Sequence, residues 1–116
     1  MTTSVTVHQH FAGRDPAVKA TYAALLQAAR ALGPVRQEPK KTSIHLVRNT
    51  AFAGVATQRA ALILTLKAAA DIKSPRIRKH EQASANRWHL DLRLEQPGEV
   101  DAELVAWLRA AYALAG

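Results

Sequence analysis

Apolar and polar residues alternate strictly over residues 88–94, which makes this segment the clearest strand in the sequence. Successive side chains of a strand point to opposite faces of a sheet, so one face of this strand is apolar. The polar face would carry Arg87, His89, Asp91 and Arg93. We therefore expect a sheet with one face against the core and one face in water.

A helical period appears nearer the amino end. Asp15 followed by Pro16 is typical of a helix start, because aspartate can accept from free backbone amides and proline needs no amide partner at the first helical position. Apolar residues then recur at helical spacing as far as Leu32, and Gly33 with Pro34 indicates a stop. The spacing predicts a helix over residues 15–32.

Alternation returns after residue 41 and predicts two strands joined by a turn. Residues 42–48 place Ile44 and Leu46 on one side, and Asn49 with Thr50 suits a turn before the apolar residues 52–55. Residues 62–66 alternate in the same way and predict a third strand. With residues 88–94 these segments predict an antiparallel meander. Residues 4–11 are interpreted as a short helix, with a short strand as the alternative.

A second helix is predicted at the carboxyl end, where residues 100–111 carry an apolar stripe after an acidic first turn. Both helices must bury their stripes on the sheet, since neither can satisfy an apolar face alone. The predicted fold class is α+β, with an antiparallel sheet of about four strands and an N-terminal and a C-terminal helix packed on one face. The residues expected beneath the helices are Ile44, Leu46, Leu62, Leu64, Leu66, Trp88, Leu90 and Leu92. The residues expected on the open face are His45, Thr65, Lys67, Arg87, His89, Asp91 and Arg93.

The composition is that of one globular domain over residues 1–116. The chain has 116 residues, of which 48% are hydrophobic and 22% are charged, close to ordinary globular usage. There is no cysteine, which excludes disulfides and thiolate chemistry and fits a reducing cytoplasm. No apolar run approaches the roughly 20 residues that span a bilayer, so we expect a cytoplasmic protein without a membrane partner. No motif predicts a cofactor or a metal site.

Positive charge is concentrated in the middle of the chain. The formal net charge is +7, and residues 35–94 hold twelve Lys and Arg against four Asp and Glu, whereas residues 95–116 hold one Arg against four acidic residues. Pro75 disfavours helix in the residue before it, so the basic residues 73–80 are predicted to form a loop beside the sheet. Such an asymmetry favours an anionic partner, although a solvated basic surface would have the same composition.

We interpret the chain as a non-enzymatic module that binds an anionic ligand through the basic loop and the open sheet face. The ligand could be a small anionic molecule or a nucleic acid. Aromatic residues are scarce near the basic segment, so nucleic-acid binding would rest on backbone phosphates and depend on salt. An enclosed pocket would instead favour a small anion. The candidate ligand-binding residues are Lys41, His45, Arg59, Lys67, Lys73, Arg76, Arg78, Lys79, Arg87, His89 and Arg93.

The alternative is a small hydrolase-like or acid–base enzyme that uses His45, His89 and Asp91. A histidine oriented by a carboxylate is the minimum for general-base work. An open face and the lack of a glycine-rich elbow weigh against this reading, so no catalytic residue is assigned. Val47 and Ile63 on the same face could join two copies into a homodimer.

The chain resembles the bacterial domain-of-unknown-function family numbered 5655 in four segments: PKKTSIHL at 39–46, AFAGV at 51–55, SPRIRKHEQASANRWHLDLRL at 74–94 and EVDAELVAWLRAAYALAG at 99–116. The resemblance spans nearly the whole chain. That family is in turn similar to YdhG-like domains of unknown function, which are small α+β proteins, so the resemblance implies the same fold. It implies no particular reaction.

Overall fold

The computed structural model describes residues 6–116, in which two α-helices lie against a six-stranded antiparallel sheet. The helices and strands are α1 Pro16–Arg30, β1 Arg36–Pro39, β2 Ile44–Val47, β3 Ala51–Thr57, β4 Leu62–Ala68, β5 Ile77–Ser84, β6 Arg87–Leu94 and α2 Ala102–Leu114. Short 3-10 turns occupy His8–Phe11 and Pro97–Glu99. The strand order is β1-β2-β3-β4-β6-β5. The predicted α+β class and antiparallel sheet are confirmed.

The first helix begins and ends close to its predicted limits, but its cap differs. Within the described residues the Asp15 side chain forms no cap hydrogen bond, and the Asp15 amide instead donates to the Arg59 carbonyl at 2.8 Å. At the other end Gly33 has a φ of 150°, which favours glycine, and a side chain there would collide with the Tyr112 hydroxyl. The predicted short helix at residues 4–11 is a 3-10 turn over His8–Phe11, and residues 4 and 5 lie outside the described range.

The sheet has six strands where about four were predicted. β1 has the sequence RQEP, without an apolar alternation, and it pairs only with β2 in the described sheet. β5 was expected to be a basic loop, but it pairs with β6 at the other edge. Only Ile77 of β5 is buried, and the remaining residues face water. Charged, exposed side chains are typical of edge strands, since they discourage pairing with another chain.

A β-bulge interrupts the pairing of β2 with β3. Leu46 pairs with Ala53 and Val47 pairs with Ala51, so Phe52 has no partner of its own on β2. Phe52 is fully buried, and Ala53 beside it is also buried. Two successive residues of β3 therefore face the core, as residues at a bulge can.

The helices cover one face of the sheet, as the sequence predicts. The expected inward residues of β2, β4 and β6 are buried, except Trp88, which is half-buried at the margin of the core. Trp107 on α2 is likewise half-buried. Val47, expected on the open face, is only 5% exposed and offers little surface to a second copy. Neither helix of the described chain has the length and hydrophobicity that crossing a bilayer requires.

The buried hydroxyl of Tyr22 makes the free energy of unfolding depend on pH in the alkaline range. Its ring packs on Phe11, and its hydroxyl donates to Gln37 Oε1 at 2.7 Å. Burial raises the pKa of Tyr22 from its usual 10.0 to about 12, with a smaller opposing effect of Arg30. A raised folded-state pKa gives a contribution that is complete below the unfolded pKa and is lost as pH rises through the folded pKa.

We therefore expect the free energy of unfolding to fall between pH 10.0 and about 12, and to fall less in Tyr22→Phe. Urea unfolding of both proteins at a series of alkaline pH values measures the difference. Equal slopes of stability against pH would show that Tyr22 ionises in the folded protein as easily as in the unfolded chain.

Candidate ligand-binding site

Residues on the open face of the sheet lie opposite one another on successive strands. His45 on β2 pairs with Gly54 on β3, and Gly54 pairs with Thr65 on β4. Two residues further along β4, and on the same face of the sheet, Lys67 pairs with His89 on β6. Side chains alternate along each strand, so the polar groups of these residues share the face that the helices leave uncovered.

A hollow of about 290 Å³ lies over this part of the sheet, and we call it the open-face hollow. Its floor is β3, where Ala51, Gly54 and Ala56 are all small. A Cβ at Gly54 would lie 3.9 Å from His45 Cδ2 and 4.0 Å from Thr65 Cβ, which are ordinary contacts. The glycine is therefore not required by sterics, and its effect is to deepen the hollow. The polar residues of the lining are Ser43, His45, Thr65, Lys67 and His89.

The lining carries positive but not negative charge. Among the residues that the structure describes, no Asp or Glu lines this hollow, and Lys67 forms no ion pair. His89 Nδ1 lies 3.7 Å from Glu81 Oε1 on β5. Asp91 stands next to Thr65 in the cross-strand row, and its Oδ1 accepts from the Thr65 hydroxyl at 2.7 Å. An anion in the hollow would meet an ammonium group that no carboxylate neutralises.

Four other predicted residues lie around this face, and three of them already have a hydrogen-bond or ion-pair partner. Arg93 donates to Gln58 at 2.8 Å and lies 3.6 Å from Glu95, and Lys79 lies 3.8 Å from Glu81. Arg87 donates to the neighbouring Asn86 carbonyl at 2.8 Å. Arg78 lies at a bulge of β5, between Ile77 and Lys79.

The remaining predicted residues are not brought to the open-face hollow. Lys41 lines a separate polar hollow beside the β1–β2 turn. Arg59 lies in the β3–β4 turn, and Lys73 in the β4–β5 connection lies 3.6 Å from Asp71. Arg76 contacts acidic groups at the start of α2 instead of facing an external ligand. The eleven predicted residues therefore do not form one continuous basic surface.

The model of a family described as "Domain of unknown function (DUF5655)" matches residues 7–115. The chain belongs to the DUF5655 family. The match includes every strand of the sheet and both helices, so it confirms the resemblance seen in the four sequence segments. No curated protein and no solved structure matches the chain significantly. The DUF5655 description names no reaction.

The alternative enzyme reading of this DUF5655 chain has little support in the geometry. β2 and β6 are three strand spacings apart, roughly 14 Å, which separates His45 from His89. Within residues 6–116 no hydrogen bond joins His45, His89 and Asp91, and the nearest carboxylate partner of His89 is Glu81. No group of three or more His, Asp or Glu in that range could hold a metal ion. A histidine oriented by Asp91 is therefore not formed in the open-face hollow.

Sequence reasoning identified the charged walls of the hollow but missed its floor. The signal was the run of Ala51, Gly54 and Ala56 in a strand segment, since a glycine inside a strand often marks a close approach to a ligand or another backbone. Sequence reasoning also missed the pair of Asp71 and His80, which lie nine positions apart and meet only after β5 folds back.

Proposed function

We propose that this DUF5655 chain is a non-enzymatic module that binds a small anionic ligand in the open-face hollow. The observation that carries the proposal is the unpaired ammonium group of Lys67, among the described residues, in a lining without carboxylates. His89, which pairs with Lys67 across β4 and β6, can donate a hydrogen bond to the same anion.

The shape of the hollow limits the ligand. Its volume of about 290 Å³ is at the lower end of the range for ligand sites, roughly 300–1,000 Å³. The floor of Ala51, Gly54 and Ala56 is apolar and follows the sheet, so it suits a small or planar apolar body. We therefore favour a ligand with one carboxylate or phosphate group on a small ring or a short chain.

A nucleic acid fits the face less well than a small anion does. Backbone recognition needs several cations that follow successive phosphates. Here Glu81 and Asp91 lie among the cations of β5 and β6, and Lys79 has Glu81 within 3.8 Å. These carboxylates would repel a phosphate chain that crossed the face toward β5.

The proposal is tested by NMR titration of the full chain with phenyl phosphate and benzoate. Binding should shift the backbone amides near Gly54 and Thr65 in a saturable way. Lys67→Gln should weaken it by about tenfold, since a charge-assisted hydrogen bond is lost. Gly54→Val should remove binding by filling the floor, and valine is well suited to a strand. Lys19→Gln is the matched control, because Lys19 is an exposed lysine on α1 whose loss changes the net charge equally.

Two outcomes would contradict the proposal. One is the lack of a saturable shift with either probe at low salt. The other is equal weakening by Lys67→Gln and Lys19→Gln, which would indicate attraction to the total charge. A single-stranded DNA oligonucleotide distinguishes the nucleic-acid function, since steep salt dependence that Gly54→Val leaves unchanged would place DNA outside the hollow and favour that function.

A further inference from the structure

A second hollow, of about 420 Å³, lies on the opposite side of the sheet, and we call it the helix-side hollow. It is formed where the connection after β4 passes α2. Its walls are mainly apolar and include Ala69, Ala70, Ile72, Trp107, Ala110 and Leu114. This volume lies within the range of small-molecule sites, and apolar walls with a few polar groups are typical of them.

The polar group of the helix-side hollow is the carboxylate of Asp71. Its Oδ1 accepts from His80 Nδ1 at 2.5 Å and from the Ile72 amide at 2.9 Å. Lys67 also contributes to the lining, but strand alternation directs its side chain to the open face, where it pairs with His89 across β6. Asp71 is therefore the charged side chain available to a molecule in this hollow.

The hydrogen bonds around Asp71 determine which ligand head group its carboxylate can bind. The His80 hydrogen bond, more than any other effect, holds the pKa of Asp71 below its usual range, so the carboxylate is ionised and can only accept. His80 Nδ1 must then be the donor in this hydrogen bond. Lys73 lies 3.6 Å from Asp71 Oδ2, but its side chain is 91% exposed, so it can move away without losing packing. The second carboxylate oxygen of Asp71, Oδ2, is therefore available as an acceptor for a ligand.

We propose that the helix-side hollow binds a small apolar primary amine, with its ring or alkyl body against Trp107 and Leu114 and its ammonium group on Asp71. An ammonium group matches the charge of Asp71 and donates charge-assisted hydrogen bonds to its carboxylate, which can only accept. This site is independent of the open-face hollow and selects the opposite charge.

The experiment compares 2-phenylethylamine with 3-phenylpropionate, which has a similar body and an anionic head, in NMR titrations of the full chain. The amine should shift the amides of residues 69–72 and 107–114 and leave those near Gly54 unchanged. We expect it to bind about tenfold more tightly than the propionate, since one charge-assisted hydrogen bond separates them.

Two variants locate the site. Ala110→Leu should abolish binding, because it fills the hollow from an exposed helical position where leucine is well tolerated. Asp71→Asn should remove the preference for the amine while the apolar body still binds weakly. Gly54→Val is the control and should bind the amine as the parent does.

The proposal is overturned if the amine gives no saturable shift, if both probes bind equally, or if Ala110→Leu binds like the parent. Circular dichroism melts check that each variant is folded. If Asp71→Asn does not fold, the comparison of the two probes on the parent and the Ala110→Leu result still decide the question.

Discussion

Replacing Phe52 with alanine should lower the free energy of unfolding by about 3 to 5 kcal/mol, the range for deleting a buried aromatic side chain. Phe52 has no exposed surface, and its ring meets the ring of Tyr112 edge to face at 5.3 Å between centroids. Tyr112 in turn donates to the Pro34 carbonyl at 3.0 Å and packs under the Arg48 guanidinium. The truncation would therefore leave a cavity between β3 and α2.

Urea unfolding followed by circular dichroism measures this loss. Phe52→Leu is the matched control, because it retains most of the apolar volume and should cost about half as much or less. A loss below about 1 kcal/mol for Phe52→Ala would mean that the site collapses around the smaller side chain or that Phe52 does not face the core.

The inward position of Phe52 could not be predicted from alternation. Ala53 and Val55 pair with inward residues of β4, so a regular strand would turn Phe52 to the open face. The β-bulge turns it to the core instead. As a result, β3 has only small side chains on the open face, beside Thr65 and Lys67 of β4. The same irregularity therefore completes the core and forms the open-face hollow.

Most of the helices and strands that could be predicted from the sequence bury an apolar stripe against the core. The two helices and β2, β4 and β6 each place apolar residues at a regular period, because one side of each lies on the core. β3 was predicted from the apolar residues that follow the turn at Asn49 and Thr50. β1 and β5 are held by backbone hydrogen bonds at the two edges of the sheet, and most of their side chains face water. Exposed edge strands carry no such period, so sequence reasoning found only about four strands of the six.

Only some of the residues around the open-face hollow could be predicted from the sequence. The polar residues of the open face follow from alternation on β4 and β6, and His45 follows from β2. Part of the predicted basic loop is the edge strand β5, and Arg76 from that loop pairs with acidic residues that are remote in sequence. Arg76 meets Asp101 and Glu103, which lie 25 and 27 positions away. Only the fold brings the turn before β5 beside the start of α2, where these charges meet.

Arg76 is therefore expected to be structural. Its guanidinium donates to Asp101 Oδ1 at 2.9 Å, to Glu103 Oε1 at 3.0 Å and to the Glu99 carbonyl at 2.8 Å. Its side chain is 25% exposed and lies 5.7 Å from the centre of the Trp107 ring. Arg76→Gln should lower the free energy of unfolding by about 1 to 2 kcal/mol, since both carboxylates are half-exposed and water screens the pairs. Arg78→Gln, two residues later at the exposed bulge of β5, should stay within about 0.5 kcal/mol of the parent.

The pH dependence of the Arg76→Gln effect separates lost ion pairs from lost packing. The hydrogen bond from the Leu104 amide, and then that from Arg76, hold the pKa of Asp101 below its usual 3.8. A lowered folded-state pKa gives stability that is present above pH 3.8 and is lost as the pH falls through the folded pKa. The parent and Arg76→Gln should therefore differ most near neutral pH, and the difference should shrink in acid as the carboxylates take up protons. Urea unfolding of both proteins from neutral to acid pH measures it. A difference that stays constant into acid would assign the effect of Arg76 to its packing on Trp107 and its bond to the Glu99 carbonyl.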